Sequence, residues 1–334
     1  MSGMEIAYSP PEARQRMHDL AEAMIQLNGG LTENLRRILD KKADEFGVHR
    51  LDMEDILKEL SPVQSTSAQV RSSGSTRIDN PKESSSVPST IINEKDGSQL
   101  VLIPEGEFRA GREDYGNSFP VWLPAYYLAL YPVTNIQYAQ FLSQVRPSER
   151  DLKEWIDLDS DCFARKAGSR YEAYGNKNDH PVVNVSWYGA NDYAKWAGLR
   201  LPWELEWEKG ARGVGGQEYP WGNTWDKWKC RNNMNRGDET TCSVQSYPEG
   251  RSQWGLYQMS GNVWEWCEDW YDSEAYNRYR QGKLSPPSKG GVRVLRGGSC
   301  YCADPKIVRG DRTYYSPENR LSDCGFRLAR TVTL

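Results

Sequence analysis

Thirteen tryptophans stand in this chain of 334 residues, and all of them fall between Trp122 and Trp270. An indole buries a large rigid surface and carries an N–H that needs an acceptor once it leaves water, so this stretch holds the main core. The segment upstream has a different texture. Residues 62–98 are rich in Ser, Thr and charges and poor in large apolar side chains. Such a segment cannot bury enough surface to offset the entropy of ordering, which predicts a flexible linker. Ahead of it, residues 10–60 read as helices. Pro10 and Pro11 precede Glu12, and Met17, Leu20, Ala21, Met24 and Leu27 recur at helical spacing until Gly29 and Gly30. Thr32 can cap a second helix carrying Leu35, Ile38, Leu39 and Phe46, and residues 52–60 can form a third. The expected organisation is a helical module over 1–61, a Ser-rich linker over 62–98 and a large domain over 99–334. So short a bundle buries little. Two readings of it stand: it docks on a partner or on a second copy, or it is an independent small domain.

The net charge of -4 gives no general basic field, so no nucleic-acid partner is expected. No apolar run reaches membrane-spanning length, and the first residues lack a basic start followed by an apolar core. Neither a membrane partner nor a secretion signal is expected, and the default compartment is the cytoplasm. The seven cysteines form no pair of Cys-x-x-Cys motifs, so free or buried thiols are expected rather than a disulfide frame. His18, His49 and His180 lie far apart, which argues against a zinc or three-histidine iron centre.

From Leu100 the pattern becomes short strands and turns. Residues 101–108 read as a strand with a turn, and residues 122–131 as a second apolar run. Thr134 is placed to cap a helix through Tyr138, Phe141 and Leu142, and Ser186 one through Trp187, Ala190, Tyr193, Ala194 and Ala197. A further helix begins near Leu201, with Glu204, Glu206 and Glu208 where acids favour the helix dipole. Later segments read mostly as loops. So much irregular chain needs internal pinning, by tryptophan packing or by a bound cation.

The carboxyl end, residues 292–330, is built differently again. Val294-Leu295-Arg296-Gly297-Gly298-Ser299 and Gly325-Phe326-Arg327-Leu328-Ala329-Arg330 look like short strands beside turn glycines. Between Cys300 and Cys324 the apolar alternation disappears, and Tyr301, Asp304, Lys306, Asp311, Arg312, Tyr314, Tyr315, Ser316 and Asp323 supply rings, charges and hydroxyls. Taking so many polar groups out of water unpaired would cost about 1 to 3 kcal/mol each, so the run is expected at the surface and not as a buried strand. Tyrosine offers wide contact area at low rotamer cost, which suits recognition; an ordinary solvated loop is the other reading.

The separated blocks at 104–111, Pro132-Val133-Thr134-Asn135, Pro181-Val182-Val183-Asn184-Val185-Ser186-Trp187, Leu199-Arg200-Leu201-Pro202, Glu206-Trp207-Glu208, Pro220-Trp221-Gly222, 261–266, Arg296-Gly297-Gly298-Ser299 and Gly325-Phe326-Arg327 resemble, in that order, the formylglycine-generating enzyme and sulfatase-modifying-factor family. The resemblance implies an α+β, C-type-lectin-like fold with much irregular structure. Formylglycine-generating members hold one copper ion with two cysteines after the Gly-Gly-Ser turn, soft thiolates being what that ion needs. The resemblance puts the first at Cys302 and the second at Ile307, which cannot ligate, so no copper and no catalytic residue are expected. The carboxyl end looks most like the variable proteins of diversity-generating retroelements, in which adenine-directed mutagenesis alters chosen codons between fixed ones. That likeness implies a varied, ligand-contacting set of Tyr301, Cys302, Ala303, Asp304, Lys306, Ile307, Asp311, Thr313, Tyr314, Tyr315, Leu321, Ser322 and Asp323. The ligand implied is a protein or other macromolecule. The family also binds calcium, here through carbonyls of Gly261 and Val263 and side chains of Gln258 and Glu265. Glu265 paired with a nearby arginine is the competing reading, and a second calcium site would draw on Asn233 and Asp238. Three functions follow: a non-catalytic binder, a metal-dependent oxidase using Cys302, and a structural subunit.

Overall fold

The apolar run at residues 99–103 and the one at 126–129 become the paired centre of a sheet because each alternates or concentrates buried aliphatic and aromatic side chains. A computed structural model describes residues 13–15, 17, 18, 21, 36, 39, 40, 42–44, 48, 50–60, 87–112, 116–158, 164–303 and 311–332. The chain divides into two units, Met1–Val87 and Pro88–Leu334. In the first, α1 spans Arg50–Glu59, with Asp52 in its first turn and Lys58 in its last, each complementing the helix dipole. Met53, Ile56 and Leu57 fall on one face at helical spacing and are buried, as are Met17, Ala21, Leu39 and Ala43. The two other helices expected before residue 48 lie largely outside the described residues, though the described positions there are helical.

In the second unit, β1 (Thr90–Ile92), β2 (Gln99–Ile103), β5 (Tyr126–Ala129) and β12 (Ala329–Thr331) form an antiparallel sheet in the order β1-β2-β5-β12. This corrects the expected end of the linker at 98, because Thr90–Ile92 is a sheet strand and the turn after it is tied down. The buried Asp96 carboxylate accepts from Asn93 Nδ2 at 2.7 Å, Ser98 N at 3.0 Å and Tyr193 OH at 2.8 Å. Two hairpins follow the same logic of short paired strands, β3 (Gly106–Ala110) with β4 (Phe119–Leu123), and β6 (Ala164–Ala167) with β7 (Arg170–Ala173). The second large sheet carries β8 (Trp264–Trp270), β9 (Arg293–Arg296), β10 (Arg312–Tyr315) and β11 (Cys324–Gly325) in the order β10-β9-β8-β11, with only the β8–β11 pair parallel.

Helices α2 (Asn135–Val145) and α4 (Trp187–Trp196) begin where the sequence places their caps. Thr134 and Gln137 make a reciprocal capping box, and Ser186 Oγ accepts from Gly189 N at 3.1 Å. Between them lies α3 (Glu149–Trp155), capped by Ser148. α5 (Glu204–Arg212) is buried along its whole length despite its charges, and α6 (Ala275–Arg280) closes the set. Phe108, Val121, Leu128, Trp207, Leu256, Met259 and Val294 form the main core. The tryptophans divide between core and surface. Trp155, Trp187, Trp207 and Trp266 are buried, and each donates its N–H to an acceptor: Asp192, the Cys267 carbonyl, Glu265 and the Val185 carbonyl. Trp122, Trp203 and Trp228 are exposed, contrary to a core role for every indole in that stretch. Among the described residues, no helix is long and apolar enough to cross a membrane.

Candidate binding face at the carboxyl end

The face begins from a strand that is entirely inside. Every residue of β9 is buried, and Gly297 and Gly298 then turn the chain with φ of +100° and +74°. A side chain at Gly297 would come within 3.0 Å of the Trp207 ring, so the turn lies directly on the core. From there the backbone is pinned by hydrogen bonds from segments outside the region. Cys300 N donates to the Asn262 carbonyl at 2.9 Å, and Asn233 N to the Cys302 carbonyl at 3.2 Å. On the return, the carbonyls of Pro317, Leu321 and Asp323 accept from Trp187, Asn184 and Trp264.

The polar run is not a strandless surface. Residues 312–315 form β10, an edge strand paired in register with β9, Tyr314 opposite Val294 and Tyr315 opposite Arg293. A polar strand is tolerated there because no residue of this edge strand is fully buried and because Arg312 reaches the buried Glu204, Nε to Oε1 at 2.5 Å and Nη2 to Oε2 at 2.9 Å. The rings project outward. Tyr301, Tyr314 and Tyr315 are 40%, 49% and 41% exposed, with Arg236 4.9 Å over the Tyr301 ring and Tyr271 4.2 Å from that of Tyr314.

The rest of the implied ligand-contacting set divides by environment. Ala303 is exposed; Thr313, Leu321 and Ser322 are half-buried. Asp323 turns inward, its Oδ2 accepting from Ser299 Oγ at 2.7 Å, and the Cys302 sulfur accepts from Ser299 N at 3.2 Å. Asp311 is ion-paired with Arg112. Asp304, Lys306 and Ile307 lie outside the described residues.

Beneath the face runs a ladder of buried charges that the sequence does not announce. Glu208 accepts from Arg212 and Arg296, each at 2.7 Å, from Gly111 N and from the Tyr276 hydroxyl. These partners hold its carboxyl below the usual carboxylate range, against the burial that would raise it. Among the described residues, Asp269 has no ion-paired cation. Burial, with Glu204 beside it, pushes its carboxyl up to about 7. The acids of α5 thus serve as arginine partners, beyond any dipole effect. Arg212, four residues after Glu208, and Arg200, six before Glu206, are local partners, but Arg296 and Arg312 come from the far end of the chain.

The thiols near the face are not activated as nucleophiles. Burial raises the Cys302 thiol, and burial raises Cys300 to about 12 and Cys242 to about 11, so the protonated form dominates at neutral pH. At the implied calcium loop, Gln258 Oε1 is buried and accepts no hydrogen bond among the described residues, while Glu265 and the Gly261 carbonyl are engaged within the protein. The Glu265 carboxylate is engaged by Arg327 through two hydrogen bonds of 2.6 and 2.7 Å and by Trp207 Nε1 at 2.7 Å. The Gly261 carbonyl accepts from Val263 N, and the Gln258 amide donates to the Ser246 carbonyl at 2.7 Å. Of the two readings of Glu265, the arginine pair is the one the structure holds. At the other loop, Asn233 Oδ1 accepts from Arg236 Nε, and Asp238 is exposed.

With this geometry in place, comparisons with known proteins agree on the scaffold. The serine/threonine-protein kinase Pkn1 of Chlamydia trachomatis serovar L2 is 39% identical over 247 residues, which cover 70% of this chain and 38% of the kinase. The chain therefore spans well under half the length of that relative. The formylglycine-generating enzyme of Streptomyces coelicolor is 32% identical over 286 residues, covering 70% of this chain and 90% of the enzyme. Two solved structures share the fold. PvdO from Pseudomonas aeruginosa superposes with a TM-score of 0.58 at 24% identity, covering 73% of this chain and 98% of that one. Treponema denticola variable protein 1 does so with a TM-score of 0.55 at 24% identity, covering 72% and 98%. The sulfatase-modifying factor enzyme 1-like domain matches residues 87–332, and the chain belongs to that family, with its C-type-lectin-like α+β fold.

Proposed function

We propose that the chain is a non-catalytic ligand-binding protein, a variable protein of a diversity-generating retroelement that displays diversified side chains on a fixed scaffold. One observation carries the reading: three tyrosines stand exposed on backbone that is hydrogen-bonded on both sides to buried framework. A macromolecular ligand then meets rigid aromatic anchors whose replacement leaves the core untouched. The N-terminal helical module links recognition to a partner or to a second copy, in the cytoplasm. The test is genetic and direct. Sequencing the DNA around the gene should reveal a reverse transcriptase and a near-copy of the codons for residues 292–330 that differs at adenines. Their absence, together with an invariant face across strains, would remove the reading.

The identity to a formylglycine-generating enzyme favours a second reading, an oxidase using Cys302. Ile307 at the position of the second thiol weighs against it. Copper-dependent thiol oxidation that disappears in Cys302→Ser would establish it instead.

A further inference from the structure

A cavity of about 270 Å³ lies beside β10, and it is lined by Arg112, Arg212, Arg296 and Arg312 together with Glu208, Asp311, Asn117 and Tyr276. Among the described residues its charge does not balance. Four guanidiniums face two lining carboxylates, and a third, Glu204, reaches Arg312 and Arg296, so four minus three leaves one positive charge among those residues. One side chain at the cavity also keeps donors that no acceptor among the described residues takes up. Arg296 is 1% exposed, its Nη2 donates to Glu208, and its Nε and Nη1 make no hydrogen bond.

Buried guanidinium donors without acceptors are costly, and a planar fork of donors matches an oxyanion. Pockets for drug-sized ligands run from about 300 to 1,000 Å³, so this cavity suits a single small group. We propose that it is a binding site for one oxyanion, a phosphate or a carboxylate, held by Arg296, Arg112 and Arg312. The site stands whether or not the tyrosine face binds a ligand. It also gives Asp311 a role of its own. Asp311 faces Arg112 from a position in the implied varied set, so exchanging it resets the charge of the cavity by one unit.

The experiment uses the full chain and two probes, inorganic phosphate and N-acetylglutamate amide, titrated by calorimetry at ionic strength held constant with sodium chloride. Wild type binds one equivalent of at least one probe saturably. Asp311→Asn tightens that binding roughly tenfold and Arg112→Gln weakens it roughly tenfold, as expected for about one unit charge in half-buried surroundings. The probe that saturates at lower concentration identifies the source, a phosphate or a carboxylate side chain. Should Arg112→Gln fail to fold by circular dichroism, Asp311→Asn decides alone. Failure of both probes to saturate in wild type and in Asp311→Asn, or equal affinity in the two, overturns the proposal.

Discussion

β9 and β10 are neighbours in one sheet, in register over four residues, yet they live under different rules. In β9 the arginines and aliphatics are all inside, and the charge of Arg296 is answered by Glu208. In β10 two tyrosines face water and only Arg312 is tied inward. The contrast shows how one sheet can be both chassis and display. A polar group in β9 has no water to replace a lost partner, whereas a ring on β10 loses only contact area.

The chassis should therefore break first and hardest. Arg327→Ala strands the Glu265 carboxylate inside the protein and is expected to cost about 3 to 5 kcal/mol in urea unfolding. Trp207→Ala removes core volume and a hydrogen bond to the same carboxylate, with an expected cost of about 3 to 5 kcal/mol. A loss below about 1 kcal/mol in either, the range of surface changes, would erase the distinction between chassis and display.

The buried acids sharpen the comparison through pH. Asp269 has a folded pKa near 7, above its unfolded value of 3.8, so between those values the unfolded chain releases its proton first. That group therefore favours unfolding progressively as pH rises from about 4 to about 7. Asp269→Asn should flatten the stability-versus-pH curve across that window, and an unchanged slope would mean that Asp269 is ionised in the fold. The smallest effects belong to the display. Tyr314→Ala and Tyr315→Ala are each expected within about 0.5 kcal/mol of wild type while ligand capture is lost.

How much of this was legible in the sequence varied with the kind of force involved. Local hydrogen bonding was legible: Thr134 and Ser186 cap the helices expected of them. The framework blocks around Gly297 and Phe326 gave the fold by resemblance. Partnership across the chain was not. Residues 204–212 read as an ordinary acidic helix, and nothing local foretells that Arg296 and Arg312 will bury it. β10 reads in sequence as exposed surface and not as a strand, because an edge strand braced by one arginine breaks the apolar alternation that marks a strand. β1 was assigned to the linker because three residues give no period, although Asp96 fixes the turn beside them. Asp323 and Cys302 carry face-like chemistry but turn inward onto Ser299, a choice made by the pinned backbone.

The most direct measurement is urea unfolding of the triple variant Tyr301→Ala, Tyr314→Ala, Tyr315→Ala beside Arg327→Ala. Three exposed replacements at about 0.5 kcal/mol each should together cost no more than about 1.5 kcal/mol, well under the single buried change. A triple variant that loses as much stability as Arg327→Ala would show the rings to be part of the chassis, and the separation of scaffold from display would fail.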